Sequence, residues 1–373
     1  MLRAFLGRRT CRFAQGGAIR RGPSRGTDDC LRPHRPRSEG SGQRYRGCAP
    51  DHEDRRQSGR AHGGGGVIRV RIPATTANLG PGFDAMGLAL DLWNTFELRP
   101  SDAFSVETHG EGEGRLLTGR DNLVIETLIS ETMRLGMSPP EGAKVVCYNQ
   151  IPPASGLGSS STATLAGVLF AHAWARSKRG EDPSEIDLNS ALERAVAIEG
   201  HGDNVAPALL GGFVVVMPDE AGVIVRQIPF APITAVVCVP DYAYLTTQAR
   251  AALPESYSRA DAIHNIGRAM LVAEALRAED DALLARALAD RIHEPYRFPA
   301  VPGASAARDA AREAGAVAVA LSGAGPGIIA FARSGYDRIG RAMNAAFAEA
   351  GLKSRYWILE ATDQGTQIGR LPV

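Results

Sequence analysis

From Val67 onward the chain alternates short apolar runs with longer segments of helical period. Residues 67–72 alternate apolar and charged side chains after the first pair, which predicts a strand. Further strands are predicted at residues 96–98, 104–108, 144–149, 213–217, 223–228 and 233–239, then at 317–321, 328–332 and 354–359. Helical spacing predicts a helix over 122–135, with Val124, Leu128 and Leu135 on one face and Gly136 as its stop. A run of small and apolar residues predicts a second helix over 162–175. A third, over 187–200, carries Leu188, Leu192, Ala195 and Ile198 on one stripe. Long helices follow at 258–277 and 280–292, and one more at 336–350. A domain boundary is expected near Pro229, giving residues 67–229 and 230–373.

The remaining 66 N-terminal residues have no sustained period. They hold fifteen arginines against six acids and no lysine. Such a segment cannot bury enough apolar surface to offset the entropy of ordering, so it is expected to be disordered. Its acids interrupt what would otherwise read as a transit peptide. Four glycines stand directly before Val67. A purine-rich ribosome-binding site read in frame would give such a run, and a GTG start codon would read as Val67. The segment is therefore expected to be dispensable or untranslated. The rest of the chain carries 27 basic residues against 35 acidic ones, which argues against a nucleic-acid partner. No apolar stretch is long enough for a membrane span. Five cysteines suggest neither a disulfide framework nor a zinc site, and a cytoplasmic location is expected.

The most unusual stretch is Ile151-Pro152-Pro153-Ala154-Ser155-Gly156-Leu157-Gly158-Ser159-Ser160-Ser161, between a predicted strand and a predicted helix. Its glycines allow close backbone approach, and the free amides and dipole of a helix start favour an anion. A tight turn with a serine N-cap is the alternative reading. The common phosphate loops do not match. There is no G-x-x-x-x-G-K-[ST], and Ser161 stands where a dinucleotide fingerprint needs its third glycine. The string P-x-x-x-G-L-G-S-S from Pro152 to Ser160 instead resembles the ATP loop of the GHMP kinases.

Other strings extend that resemblance. Pro73-Ala74-Thr75-Thr76-Ala77-Asn78-Leu79-Gly80-Pro81-Gly82-Phe83-Asp84 reads by itself as a loop, with Asn78 and Asp84 as turn residues. It is similar to the first signature of homoserine kinases, in which Asn78 and Asp84 would contact the amino-acid substrate. The string H-x-D-N-V-A-P from His201 to Pro207 resembles a second signature; by chemistry alone Asp203 or Asn204 is a helix cap. Glu193 stands eleven residues before Asn204, the family's spacing for a metal-binding glutamate, though alone it reads as a solvated surface acid. Thr246 with Arg250, and Arg297 in Glu294-Pro295-Tyr296-Arg297, match strings that would face the substrate. Alone they read as an N-cap, a solvated arginine and a loop residue. Ser322-Gly323-Ala324-Gly325-Pro326-Gly327, a glycine turn between two strands, matches the glycine loop beside the phosphate loop. Asn122, otherwise an N-cap, would lie near the adenine.

The resemblance implies an α+β fold in two halves. The N-terminal half would have a left-handed β-α-β crossover, and the C-terminal half would be ferredoxin-like. It also implies transfer of the ATP γ-phosphoryl to the hydroxyl of L-homoserine. ATP would lie on Asn122, residues 152–161, Gly323 and Gly325, with Mg²⁺ on Ser159 and Glu193. Asn78, Asp84, His201, Asp203, Arg250 and Arg297 would hold the substrate, with Asn204, Thr246 and Arg250 at the reacting groups. Mevalonate kinases place an Asp at the position of Asn204, and an amide takes no proton at neutral pH. Positioning would then carry most of the catalysis. The rival readings are another small-molecule kinase of the same family and a non-catalytic nucleotide sensor on the same fold. A homodimer is compatible with all of them.

Overall fold

The computed structural model describes residues 66–220 and 222–371. The arginine-rich segment, expected to be disordered or untranslated, lies outside them apart from Gly66.

The first half begins with β1 (Val67–Ala77), β2 (Met86–Pro100) and β3 (Ser105–Gly110). After α1 (Leu123–Arg134) comes β4 (Ala143–Asn149), parallel to β3, so that β3-α1-β4 is the crossover unit. Then come α2 (Ser159–Lys178), α3 (Leu188–Glu199) and α4 (Val205–Leu210), and the hairpin β5 (Phe213–Asp219) and β6 (Gly222–Ile228). β1 is longer than its alternation predicts. It continues through Pro73 by way of a register shift at Pro73/Ala74, and residues 74–77 are buried. A proline is tolerated in a sheet at such an irregularity. β2 likewise runs for 15 residues where only 96–98 show a strand pattern, because one end of it is buried on both faces. α2 lies against α1 so closely that a Cβ on Gly167 would sit 2.5 Å from Thr127 Cβ. The buried face of α3 is Ala191, Leu192, Ala195 and Val196. Leu188 and Ile198, the ends of the expected stripe, are exposed.

The second half comprises β7 (Thr234–Pro240), α5 (Thr246–Ala251), α6 (Arg259–Ala278), α7 (Asp281–Ala287), α8 (Glu294–Arg297) and α9 (Ala304–Glu313). It ends with β8 (Ala318–Leu321), β9 (Ile328–Ala332), α10 (Tyr336–Glu349) and β10 (Ser354–Glu360). Its sheet has the order β10-β7-β9-β8, all antiparallel. Counted within the half, that is 4-1-3-2, the ferredoxin-like order. The helix expected over 280–292 stops at Ala287; beyond it, Asp290 draws the chain into a turn. Arg297, read from sequence as a loop residue, is on α8, whose proline occupies the first turn, where no hydrogen-bonded N–H is needed.

The chain passes from the first sheet to the second between β6 and β7, and then returns. A last strand, β11 (Gln367–Leu371), pairs antiparallel with β1 and forms the edge of the first sheet. One apolar cluster fills the first half under α1 to α4, and another lies between the second sheet and α9 and α10. A third is shared by the halves, joining Leu79, Leu88 and Phe213 to Val237, Val272 and Phe331. This shared core fixes the seam at which the sequence strings meet. No helix among the described residues is long and apolar enough to cross a membrane.

Candidate active site

The glycine- and serine-rich loop leads from β4 into α2. Gly158 occupies the N-cap position of α2 with φ +74° and gives no side-chain cap, so the first amides of the helix remain open to a ligand. The buried Ser155 braces the loop: its hydroxyl donates to the Pro152 carbonyl at 2.7 Å and accepts from the Leu157 amide at 3.3 Å. Gly156, at φ +80°, meets the β8–β9 loop, and Ser322 Oγ donates to the Gly156 carbonyl at 2.7 Å. The glycine loop of Gly323 and Gly325 is thus seated against the phosphate-type loop. Beside the α2 start is a cavity of about 310 Å³ whose lining includes Phe96, Leu117, Cys147, Ser159 and Ser160. Pro153 and Ala154 also line it, as does Asn122. The Asn122 amide is used within the fold. It caps α1 through Val124 N and donates to the Leu117 carbonyl at 2.7 Å, which holds one wall of the cavity in place.

The acid that the structure brings to the serines is Glu199, not Glu193. Glu199 accepts hydrogen bonds from Ser161 Oγ at 3.0 Å and Thr164 Oγ1 at 2.5 Å, and Ser160 Oγ lies 3.5 Å away. Glu193 is exposed beside Gly222 of the β5–β6 turn. The eleven-residue spacing points to a different acid from the one that meets the serines, because α3 runs almost to His201, leaving only Gly200 between them. Ser159 lines the cavity but does not meet Glu199. Its hydroxyl is 3.5 Å from the Ile151 carbonyl, whereas that of Ser160 faces Glu199.

Within the first half, Asn204 Oδ1 accepts from Thr75 Oγ1 at 2.8 Å next to Gly158. It occupies the N-cap position of α4 but makes no cap bond. His201 Nδ1 and Asp203 Oδ1 are 2.8 Å apart, and this hydrogen bond raises the imidazole pKa above its ordinary value. Asn78 is bound into the fold at both ends of its amide: Nδ2 donates to the Gly323 carbonyl and Oδ1 accepts from Asp84 N. Asp84 takes Arg250 bidentately at 2.9 and 2.8 Å, which raises the guanidinium pKa. Thr246 is exposed at the start of α5, where Leu245, not Thr246, is the N-cap residue.

Arg297 is 2% exposed and has no carboxylate partner among the described residues. It donates to the carbonyls of Ala249 and Gly323 and lies 5.1 Å from the Phe83 ring, which Arg250 also approaches. Burial lowers its pKa from the ordinary value. His293 and Glu294, given no role from the sequence, are also buried; His293 meets the Gly80 carbonyl and Glu294 accepts from the Leu321 amide. Their place directly before a proline-started turn that ends in arginine was the available signal.

The site therefore combines an uncapped helix start, a carboxylate among hydroxyls, and a buried cation beside an Arg–Asp pair. Descriptions of known families fit this arrangement. Residues 122–212 match the GHMP kinases N terminal domain and residues 272–349 the GHMP kinases C terminal domain. The homoserine kinase of Moorella thermoacetica is 40% identical over 285 residues, covering 76% of this chain and 94% of that protein. That of Streptomyces avermitilis is 42% identical over 285 residues, 76% of this chain and 91% of that one. Among solved structures, homoserine kinase from Cytophaga hutchinsonii superposes with a TM-score of 0.70 at 29% identity, covering 84% of this chain and all of that one. Mevalonate kinase of L. major, at 16% identity and a TM-score of 0.60, shares the fold. The chain belongs to the GHMP kinases and, within them, to the homoserine kinases.

Proposed function

We propose that the chain transfers the γ-phosphoryl of ATP to the side-chain hydroxyl of L-homoserine, giving O-phospho-L-homoserine. The observation that carries this reading is Arg297, a buried guanidinium without a carboxylate. An uncompensated buried charge is costly, and a planar fork of donors suits a carboxylate from the ligand. Arg250, whose partner Asp84 is half-exposed, lies at the same Phe83 ring and supplies a second fork. Asp84 is then the acceptor for the substrate amine.

The α2 amides and the amides of Gly156 and Gly158 hold the phosphates, while the Leu157 amide is kept by Ser155. Mg²⁺ suits the donor set of the Glu199 carboxylate and Ser160 hydroxyl, since this ion keeps most of its shell for water and phosphate oxygens. When bound it would neutralise charge developing on those oxygens. The substrate hydroxyl oxygen forms a bond to the γ-phosphorus as the bridging β–γ bond breaks to ADP, and the hydroxyl proton passes to an oxygen of the transferred phosphoryl. Asn204 is an amide, with its oxygen already engaged by Thr75. It orients the substrate and takes no proton. Catalysis is then mainly alignment and charge neutralisation.

An ADP-release assay over homoserine, mevalonate, galactose, serine and threonine tests the assignment. Homoserine is expected to lead by a wide margin. Equal or faster turnover of mevalonate or galactose would overturn it.

A further inference from the structure

We propose that His293 is a positioning residue. As the neutral Nε2–H tautomer it clamps the Asn78–Asp84 loop to Arg297 and so sets where the guanidinium meets the substrate carboxylate. This inference rests on the reading of Arg297 given above. The imidazole is fully buried. Its Nε2 is 2.9 Å from the Gly80 carbonyl, a group that only accepts, so Nε2 carries the proton. Its Nδ1 is 3.3 Å from Arg297 Nη1, a group that only donates, so Nδ1 carries a lone pair. One form of the ring satisfies both contacts. The imidazolium would set an N–H against a guanidinium.

The clamp is held from behind. Asp290 accepts from the backbone amides of Ile292, His293 and Glu294 and from Asn265 Nδ2. With its oxygens engaged by those donors, it remains 3.8 Å from Nε2. Phe83 stacks on the imidazole at 5.3 Å, and the same ring lies near both arginines. One rigid plane thus gauges the separation of the loop and the two guanidinium groups.

The charged and titratable groups around the ring are Asp290, Glu294 and Arg297 from its own segment and Asp84 from the loop. Arg250 of α5 shares the Phe83 ring, and His264 of α6 bonds the Ala289 carbonyl. Burial, the largest influence, lowers the imidazole pKa and keeps it neutral near pH 7.

Kinetics of the full chain test the clamp. Asn can present an oxygen near the Nδ1 position, whereas Phe presents none. His293→Phe is expected to raise the homoserine KM roughly tenfold to a hundredfold, the scale of a lost hydrogen bond to a charged group, with the ATP KM unchanged. His293→Asn should recover much of that loss. Equal rises in both KM values, or no difference between the two variants, would reduce His293 to a core residue. Should either variant fail to fold, ¹⁵N-histidine spectra of the wild-type chain still decide. The resonance near the Phe83 ring protons should report a neutral Nε2–H form at pH 7, and an Nδ1–H form or an imidazolium would overturn the proposal. A wild-type chain that does not turn over homoserine refutes the functional reading instead. If Arg297→Ala leaves the homoserine KM unchanged while the wild type is active, the carboxylate role of Arg297 falls, and the clamp with it.

Discussion

Alanine at Gly156 is a sharp test of how the two glycine loops meet. Two costs are separable there. The backbone has φ +80°, and an L-residue in the left-handed region costs roughly 1–2 kcal/mol. The added Cβ would also sit 2.1 Å from the Ser322 carbonyl oxygen and 3.2 Å from that of Gly325. Real Cβ contacts essentially never fall under 3.0 Å, so one loop has to retreat by about 0.9 Å, the difference between 3.0 and 2.1 Å. That movement breaks the 2.7 Å bond from Ser322 Oγ to the Gly156 carbonyl, which contributes about 1 kcal/mol. A total of about 2–3 kcal/mol follows, a large share of the roughly 5–15 kcal/mol that holds a typical domain together. Turnover should fall further than stability, because a misplacement of about 1 Å at a reacting centre costs on the order of a hundredfold. Gly136 is the control. It has φ +72° at the end of α1, and a Cβ there would meet nothing within 4 Å. Urea unfolding and ADP release should show Gly136→Ala losing about 1–2 kcal/mol with full turnover. Gly156→Ala should lose about 2–3 kcal/mol and about a hundredfold in rate. If the two variants match in both measurements, the loops do not meet as described.

Two other tests address single carboxylates. Glu199→Gln should raise the Mg²⁺ concentration for half-maximal activity roughly tenfold or more, while Glu193→Gln leaves it unchanged; the reverse order would restore the eleven-residue spacing rule. Burial lifts the Glu294 carboxyl from its ordinary 4.5 to about 8. Between those values the folded chain keeps a proton that the unfolded chain has released. Stability should therefore fall as pH rises through this window, by up to about 1.4 kcal/mol per unit. Urea unfolding of Glu294→Gln should show a flatter dependence from about pH 5 to 8, and an identical slope in both proteins would refute the assignment.

Most of the architecture was legible where side chains alternate or repeat with helical period. Residues 67–72 alternate and residues 122–135 repeat with helical period, and β1 and α1 stand there; residues 328–332 form a short continuous apolar run, and it is the buried strand β9. Legibility failed where burial comes from small residues. α9 hides Ala304, Ala307 and Ala311, which look unremarkable among its arginines and acids. The site was legible as strings, because backbone geometry in the loops demands particular glycines and prolines. Single acids were not. Glu199 and Glu193 lie on one helix, six residues apart, and only the packing of α3 on α2 decides which carboxylate meets the serines. Arg297 read as an ordinary loop residue because nothing local announces that α8 is buried.

The pairing of β11 with β1 makes the order of synthesis matter. Val67 to Arg71 face Leu371 to Gln367, so the first strand of the sheet gains its outer neighbour from residues made long after it. At about 5–20 residues per second, the intervening chain takes roughly 15–60 s to emerge. Throughout that interval β1 offers an unpaired edge to any other nascent chain. The edge is not undefended. Arg69 is soon paired with Glu97 of β2, but Arg71 also stands on that strand, and a charge there discourages two copies from joining edge to edge. Arg71 thus guards the growing chain before it belongs to a finished sheet, and a chain cut short before residue 367 would keep that edge open for life.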